Sequence, residues 1–129
     1  MNEAEIVADL GYGIGVFAPG VLDKMWPARH HTVLAHVKTY DLYKNEFKVA
    51  QKGVCGITMN TDWYEPATDS DGDKLAAQNQ MDSQLGFWAD PIYTDRKDYP
   101  DSVRAAAGND LPQFTTEEKA MLGKYILRK

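Results

Sequence analysis

The sequence predicts an α/β fold in which helices flank one buried strand. Two patterns predict it. Apolar side chains recur at steps of three and four over residues 30–51, which is the period of a helix with one buried face. Residues 54–59 then form a short, mostly apolar run without alternation, which is typical of a strand buried on both faces in a parallel sheet or barrel.

The first predicted helix covers residues 30–51. Lys48 and Lys52 lie near its end, where positive charge suits the helix dipole, and Gly53 is a typical stop. The helix has one apolar stripe, of which Val33, Val37, Tyr40 and Phe47 are expected to face inward. The stripe consists of Val33, Val37, Tyr40, Tyr43 and Phe47.

The later elements follow from turn and capping residues. Polar residues 60–73 predict a loop. A second helix is predicted over about 74–88 and is expected to end before Pro91, since proline removes a helical hydrogen bond. A third helix begins where Thr115 and Glu118 have capping-box spacing, and it is expected to run to the end of the chain.

The single predicted strand lacks partners. A strand buried in a sheet needs neighbours on both edges to satisfy its backbone groups. Because no second strand is predicted, we expect residues 1–129 to be a piece of one larger domain.

Composition excludes several classes of partner. The net charge of −5 and the lack of a basic stripe argue against nucleic-acid binding and against an anionic membrane surface. No apolar run approaches the roughly 20 residues of a membrane-spanning helix, and the acidic residues near the start do not fit a signal peptide. The single cysteine, Cys55, excludes an internal disulfide and is expected to be an inert core thiol. The compartment stays open.

Three short motifs have ordinary structural explanations. The glycines of residues 11–20 are spaced G-x-G-x-G, with no helix after them, so an ordered loop is expected rather than a phosphate site. Residues 69–73 resemble the start of a calcium loop, but Lys74 stands where an EF-hand needs glycine, so a helix-capping turn is expected. His31 and His36 are five residues apart, not the four that place two imidazoles on one helical face. We therefore expect neither a metal nor a cofactor.

A series of motifs extends in order along the whole chain. They are Asn2-Glu3, Leu10-Gly-Tyr-Gly13, Phe17-Ala-Pro-Gly-Val21, Ala35-His36, Gly56-Ile-Thr-Met-Asn60, Asp62-Trp-Tyr-Glu-Pro66, Gln84-Leu-Gly-Phe-Trp-Ala-Asp-Pro-Ile92, Asp98-Tyr-Pro-Asp101 and Leu111-Pro-Gln-Phe-Thr-Thr-Glu-Glu-Lys119. In order and spacing they resemble family 1 glycoside hydrolases, the family of β-glucosidase-like, lactase-like, myrosinase-like and klotho-like proteins.

The resemblance implies a fold and a reaction. The chain would be a partial (β/α)8 TIM barrel of α/β class, roughly from the end of strand 4 through the helix before strand 6. A whole barrel has eight strands and about 250 residues, so the rest of the barrel is an expected partner. The implied reaction is hydrolysis of a β-glycoside, a carbohydrate substrate, by a retaining mechanism that uses two carboxyl groups.

The resemblance also implies roles for individual residues. Glu3 would be the acid/base, which first protonates the leaving oxygen and later activates water. Asn2 would hydrogen-bond the 2-hydroxyl of the sugar, and Asn60 and Asp62 would line the leaving-group side. Trp63 is open to two interpretations, a sugar contact or packing within the barrel.

Two departures from the family pattern leave alternatives open. Ala4 replaces the family proline after the acid/base glutamate, and no Glu-Asn-Gly nucleophile motif occurs in the chain. We therefore expect the 129 residues alone to be inactive. One alternative is a klotho-like, non-catalytic binding protein. Another is a small module that folds alone or with a second copy of itself. The presence of Glu3 favours the glycosidase.

Overall fold

The computed structural model describes residues 4–13 and 24–124, and in this part of the chain every regular element is helical. The α-helices are α1 (Ala4–Ala8), α2 (Met25–Leu42), α3 (Lys48–Gln51), α4 (Asp71–Met81), α5 (Phe87–Tyr93), α6 (Asp101–Ala107) and α7 (Thr116–Leu122). Three π-helical turns, Asp9–Gly13, Tyr43–Phe47 and Asp82–Gly86, continue α1, join α2 to α3 and join α4 to α5, and a 3-10 turn, Gly108–Asp110, follows α6.

The first predicted helix is confirmed, and it begins five residues earlier than expected, at Met25. Val33 and Val37 are fully buried, as their spacing predicts. Phe47 contradicts the prediction, because 45% of its surface is exposed. The π-helical turn Tyr43–Phe47 supplies the physical reason. A π turn holds more residues than an α turn, so it rotates the later side chains away from the stripe.

The second predicted helix also forms, but its predicted end is wrong. The helical path extends over α4 and α5 to Tyr93, with Pro91 inside α5. Pro91 and Ile92 are buried in the core, and this burial offsets the hydrogen bond that the proline removes. Gly86 lies where α5 begins, and a Cβ there would stand 2.9 Å from Cγ of Pro100, so glycine permits this close approach.

The core lies between α2, α5, α6 and α7. An aromatic stack forms its centre: the Phe87 and Tyr99 rings have centroids 4.4 Å apart, and the Tyr99 and Phe114 rings 4.8 Å apart. These three side chains come from α5 and from the two segments that precede α6 and α7, so the stack joins all three helices.

The predicted strand does not form within the described residues. Residues 52–66 have no regular structure, and Val54 is completely exposed. Ile57 and Met59 pack only partly against the core, and Cys55 is half-buried rather than a core thiol. A strand exists only through hydrogen bonds to a neighbouring strand, and no strand of the described chain supplies them. The exact strand range therefore stays a prediction.

Four further expectations concern two helix caps, membrane-spanning helices and the glycine-rich loop. Ser70 caps α4, its Oγ accepting from the Asp73 backbone N at 3.1 Å, which confirms the helix-capping turn expected at residues 69–73. The capping box of Thr115 and Glu118 at the start of α7 is confirmed. No helix in the described ranges is long and apolar enough to cross a membrane. Of the loop expected at residues 11–20, the first three belong to a π-helical turn and the others lie outside the described residues.

Candidate active site

The expected acid/base lies just outside the described chain. Asn2 and Glu3 precede Ala4, the first described residue and the first residue of α1. Ala4 stands where the family has proline, and its side chain is buried against the core. The Asn2-Glu3 segment is therefore joined in the chain directly to the first residue of α1.

Asn60, one of the expected leaving-group residues, lies beside α1. Its Nδ2 donates to Oε2 of Glu5 at 3.4 Å. Glu5 is two residues from Glu3 in the sequence, so the structure brings the end of the predicted strand next to the helix that follows the expected acid/base. The two chain segments are 55 residues apart in sequence.

Asp62, the other expected leaving-group residue, is held at the edge of this site. Its backbone N donates to Oε1 of Gln84 at 3.1 Å, which ties the loop to the π-helical turn between α4 and α5. The Asp62 side chain is exposed, and its charge acts on Glu5.

Glu5 has a perturbed pKa. Burial raises the pKa of its carboxyl above the ordinary value, and the charges of Asp9 and Asp62 add to this effect. Arg29 and the hydrogen bond from Asn60 act in the opposite direction. A carboxyl group of raised pKa beside a primary amide offers both a donor and acceptors to a hydroxylated ligand.

Arg29 and Glu5 are site residues that the sequence analysis missed. Arg29 lies on α2 with 4% of its surface exposed, and it binds the carboxylates of both Asp9 and Glu5. One signal was visible in the sequence. Glu5 and Asp9 are four residues apart, which places two carboxylates on one face of a helix, where a cation would relieve their repulsion.

Trp63 does not pack within the described chain, because 74% of its surface is exposed. Its Nε1 donates to Oε1 of Glu65 at 2.6 Å, which fixes the orientation of the ring. The ring borders an open concavity of about 410 Å³ beside α4 and α5, with Tyr64 and the carboxyls of Asp82 and Asp90 among its other walls.

The chain matches the model of glycosyl hydrolase family 1 over residues 1–126. β-Glucosidase 4 of Oryza sativa subsp. japonica is 39% identical over 130 residues, covering 98% of this chain and 26% of the rice protein. A rice β-glucosidase solved as a Glu-to-Gln mutant in a covalent complex with glucose superposes with a TM-score of 0.86 at 32% identity, covering 97% of this chain and 29% of that one. The β-glucosidase of Trichoderma harzianum gives a TM-score of 0.83 at 40% identity, covering 94% of this chain and 26% of the fungal chain. The chain thus spans about a quarter of the length of the relatives that it matches.

Proposed function

The chain belongs to glycosyl hydrolase family 1, and from this premise we propose that it supplies the acid/base glutamate of a retaining β-glycosidase. Glu3 takes this role, Asn2 binds the 2-hydroxyl of the sugar, and Asn60 and Asp62 line the leaving-group side. The substrate is a β-glycoside, and the partner is the remainder of a single (β/α)8 barrel domain. The chain contributes the part of that barrel from the end of strand 4 through the helix before strand 6.

The observation that carries the proposal is the family match itself. It covers residues 1–126 and so includes Asn2, Glu3, Asn60 and Asp62. The fold of the described residues agrees with β-glucosidase structures at TM-scores above 0.8. The hydrogen bond from Asn60 to Glu5 gives further support, because it joins the leaving-group segment to the helix that follows Glu3.

The chemistry requires a second carboxylate from elsewhere. In a retaining glycosidase the acid/base and the nucleophile lie about 5–5.5 Å apart, and the nucleophile forms a covalent glycosyl-enzyme. A covalent glucose complex has been obtained with the rice enzyme. The family's Glu-Asn-Gly nucleophile motif is absent from this sequence. Glu3 therefore works only where the remainder of a barrel completes the pair.

A chimeric enzyme tests the proposal. Residues 1–126 replace the matching segment of rice β-glucosidase 4, and hydrolysis of aryl and alkyl β-glucosides is measured. The chimera should be active, and Glu3→Gln should reduce the glycosylation rate of alkyl glucosides by about 10²–10⁴-fold, the usual contribution of a general acid. Activated aryl glucosides need less protonation and should lose less.

Glu46→Gln is the matched control, since Glu46 is an exposed glutamate between α2 and α3. Equal glycosylation losses for both kinds of substrate would contradict the role of Glu3. A folded chimera that binds glucosides without turnover would favour the klotho-like alternative.

The 129-residue chain by itself should not hydrolyse an aryl β-glucoside, because it lacks the nucleophile that the covalent route requires. The measurement is a chromogenic assay of the purified chain beside its Glu3→Gln variant. Turnover that is present in the purified chain and lost in Glu3→Gln would show that the chain supplies its own second carboxylate.

A further inference from the structure

Arg29 is a buried cation with an unusually complete set of partners. Its Nε donates to Oδ1 of Asp9 at 2.7 Å, and its Nη2 donates to Oδ2 of the same carboxylate, so the pair is bidentate. Nη2 also lies 3.4 Å from Oε1 of Glu5, and Nη1 lies 3.4 Å from the carbonyl oxygen of Ser83. A buried guanidinium is tolerated only when it is paired in this way.

Three aromatic rings surround the same guanidinium. Its carbon lies 5.5 Å from the ring centroid of Trp26, 5.3 Å from that of Phe87 and 6.0 Å from that of Trp88. Aromatic faces attract cations, and a planar guanidinium also stacks on them. The rings belong to α2 and α5, so both helices contribute to holding the cation in place.

Helix α1 needs an external anchor. It has only five residues before its π-helical turn, and a helix of that length is not stable on its own in water. Its direction must therefore come from contacts with the rest of the fold. Glu5 and Asp9 project from one face at a spacing of four residues, and both carboxylates meet Arg29.

We propose that Arg29 is the positioning residue of α1 and, because it fixes the helix that begins at Ala4, a positioning residue for the acid/base role of Glu3. The guanidinium binds the two carboxylates of α1 and is itself fixed by the rings of α2 and α5. The consequence for Glu3 rests on the proposed function. The tether between Arg29 and α1 does not, because every contact that defines it lies within the described residues.

Removing the cation leaves a cluster of like charges. Arg29 faces Glu5 from α2, Asp9 faces it from the turn after α1, and Asp62 faces it from the loop beyond the predicted strand, beside the amide of Asn60. Arg29 lowers the pKa of Glu5, whereas Asp9 and Asp62 raise it. Neutralising Arg29 should therefore move the titration midpoint of Glu5 upward.

The test uses the 129-residue chain and amide exchange. Arg29→Gln should accelerate exchange over residues 4–13 by at least about tenfold, the effect of losing charged hydrogen bonds. Exchange over 101–107 and 116–122 should change less. Lys38→Gln is the matched control, since it removes an exposed cation from the same helix. Equal acceleration in all three segments would overturn the proposal.

A second readout separates the tether from simple packing. Carboxyl titration of Glu5 by NMR should shift upward in Arg29→Gln and return in Arg29→Lys, which restores the charge. Exchange protection of residues 4–13 should not return in Arg29→Lys, because an ammonium group cannot make the bidentate pair. A Glu5 midpoint that is the same in Arg29→Gln and in the unmodified chain would overturn the proposal.

Asp9→Asn keeps the test decisive if Arg29→Gln fails to fold. Asp9 is only partly buried, and this change removes its bidentate pair with Arg29. Amide exchange over residues 4–13 should therefore accelerate, as in Arg29→Gln. Unchanged exchange over 4–13 in Asp9→Asn would overturn the tether. If Arg29→Gln leaves the activity of the chimera unchanged, that result contradicts this inference alone. If the chimera is inactive while residues 4–13 remain protected by Arg29, that result contradicts only the role of Glu3.

Discussion

His30 is a buried histidine whose surroundings favour the neutral ring. Only 3% of its surface is exposed, its Nδ1 lies 2.9 Å from the Tyr99 hydroxyl, and its ring centroid lies 4.7 Å from that of Phe114. Burial lowers its pKa from 6.5 to about 4, although the nearby carboxylate of Glu118 acts in the opposite direction. Charging this ring inside the core therefore opposes folding.

The first prediction concerns stability against pH. The unfolded chain binds a proton at His30 near pH 6.5 and the folded chain only near pH 4, so the free energy of unfolding should fall as the pH falls between these values. The full loss is about 3 kcal/mol at 1.36 kcal/mol for each pH unit. Urea unfolding at several pH values measures it.

A variant should separate His30 from other titrating groups. His30→Gln should flatten the pH dependence between pH 6.5 and 4. His36 is also buried with a lowered pKa, so some slope should persist in His30→Gln. An identical slope in His30→Gln and the unmodified chain would contradict the assignment to His30.

Single residues of the candidate site were predictable to different extents. The roles of Glu3, Asn2, Asn60 and Asp62 rest on motif resemblance, because the signal is their spacing along the chain, and these roles stay predictions. The pairing of Arg29 with Glu5 and Asp9 was not predicted, since it depends on how α1 lies against α2. Arg29 is 24 residues from Glu5 and 20 from Asp9, and these separations in sequence do not reveal that the side chains meet.

At the scale of elements, capping chemistry is the most local signal and the most reliable one. In the capping box of α7, Oγ1 of Thr115 accepts from the Glu118 backbone N at 3.2 Å. Oε2 of Glu118 accepts from the Thr115 backbone N at 2.8 Å. Both bonds satisfy donors that a helix start leaves open, so four residues of sequence are enough to place this helix start.

The second prediction concerns this capping box. Thr115→Ala should lower the free energy of unfolding by about 1 kcal/mol, because it removes the cap hydrogen bond at the start of α7. Thr116→Ala is the matched control, since Thr116 is an exposed threonine one position further on, and it should have a smaller effect. Equal losses in a denaturant titration would mean that the cap contributes nothing specific.

Helix α6 was not predicted, and its contacts show why. It has seven residues, and Arg104 holds it in place through side-chain bonds to neighbouring segments. Nη1 of Arg104 donates to the carbonyl oxygens of Leu111 and Pro112 at 2.9 Å each, and Nη2 donates to Oδ1 of Asp98 at 2.7 Å. Lys119 of α7 binds the other oxygen of Asp98 at 2.8 Å. A seven-residue helix that depends on tertiary contacts of this kind leaves little periodic signal in the sequence.

At the scale of the whole molecule, the helices have a core of their own and residues 52–66 do not share it fully. The aromatic stack of Phe87, Tyr99 and Phe114 joins the later helices, and Val33, Leu34 and Val37 connect α2 to the same cluster. Val54 and Trp63, in contrast, have exposed fractions of 100% and 74%. These two side chains therefore take no part in the core of the helices.

The last prediction concerns residues 54–59. Their amides should exchange at rates near those of an unstructured peptide in the monomeric chain, while the amides of 33–37 in α2 should be strongly protected. The reason is that helical amides are bonded within their own helix, whereas a strand is protected only by a neighbour. Exchange measured by mass spectrometry at low protein concentration, with the monomer verified by light scattering, compares the two segments directly.

Raising the concentration adds a second arm to this measurement. Protection of 54–59 that grows with concentration, together with a rise in mass, would identify a second copy of the chain as the partner that covers the segment. Strong protection in a verified monomer would contradict the prediction. The segment would then have internal partners, and the 129 residues would form a self-sufficient module instead of a piece of a larger barrel.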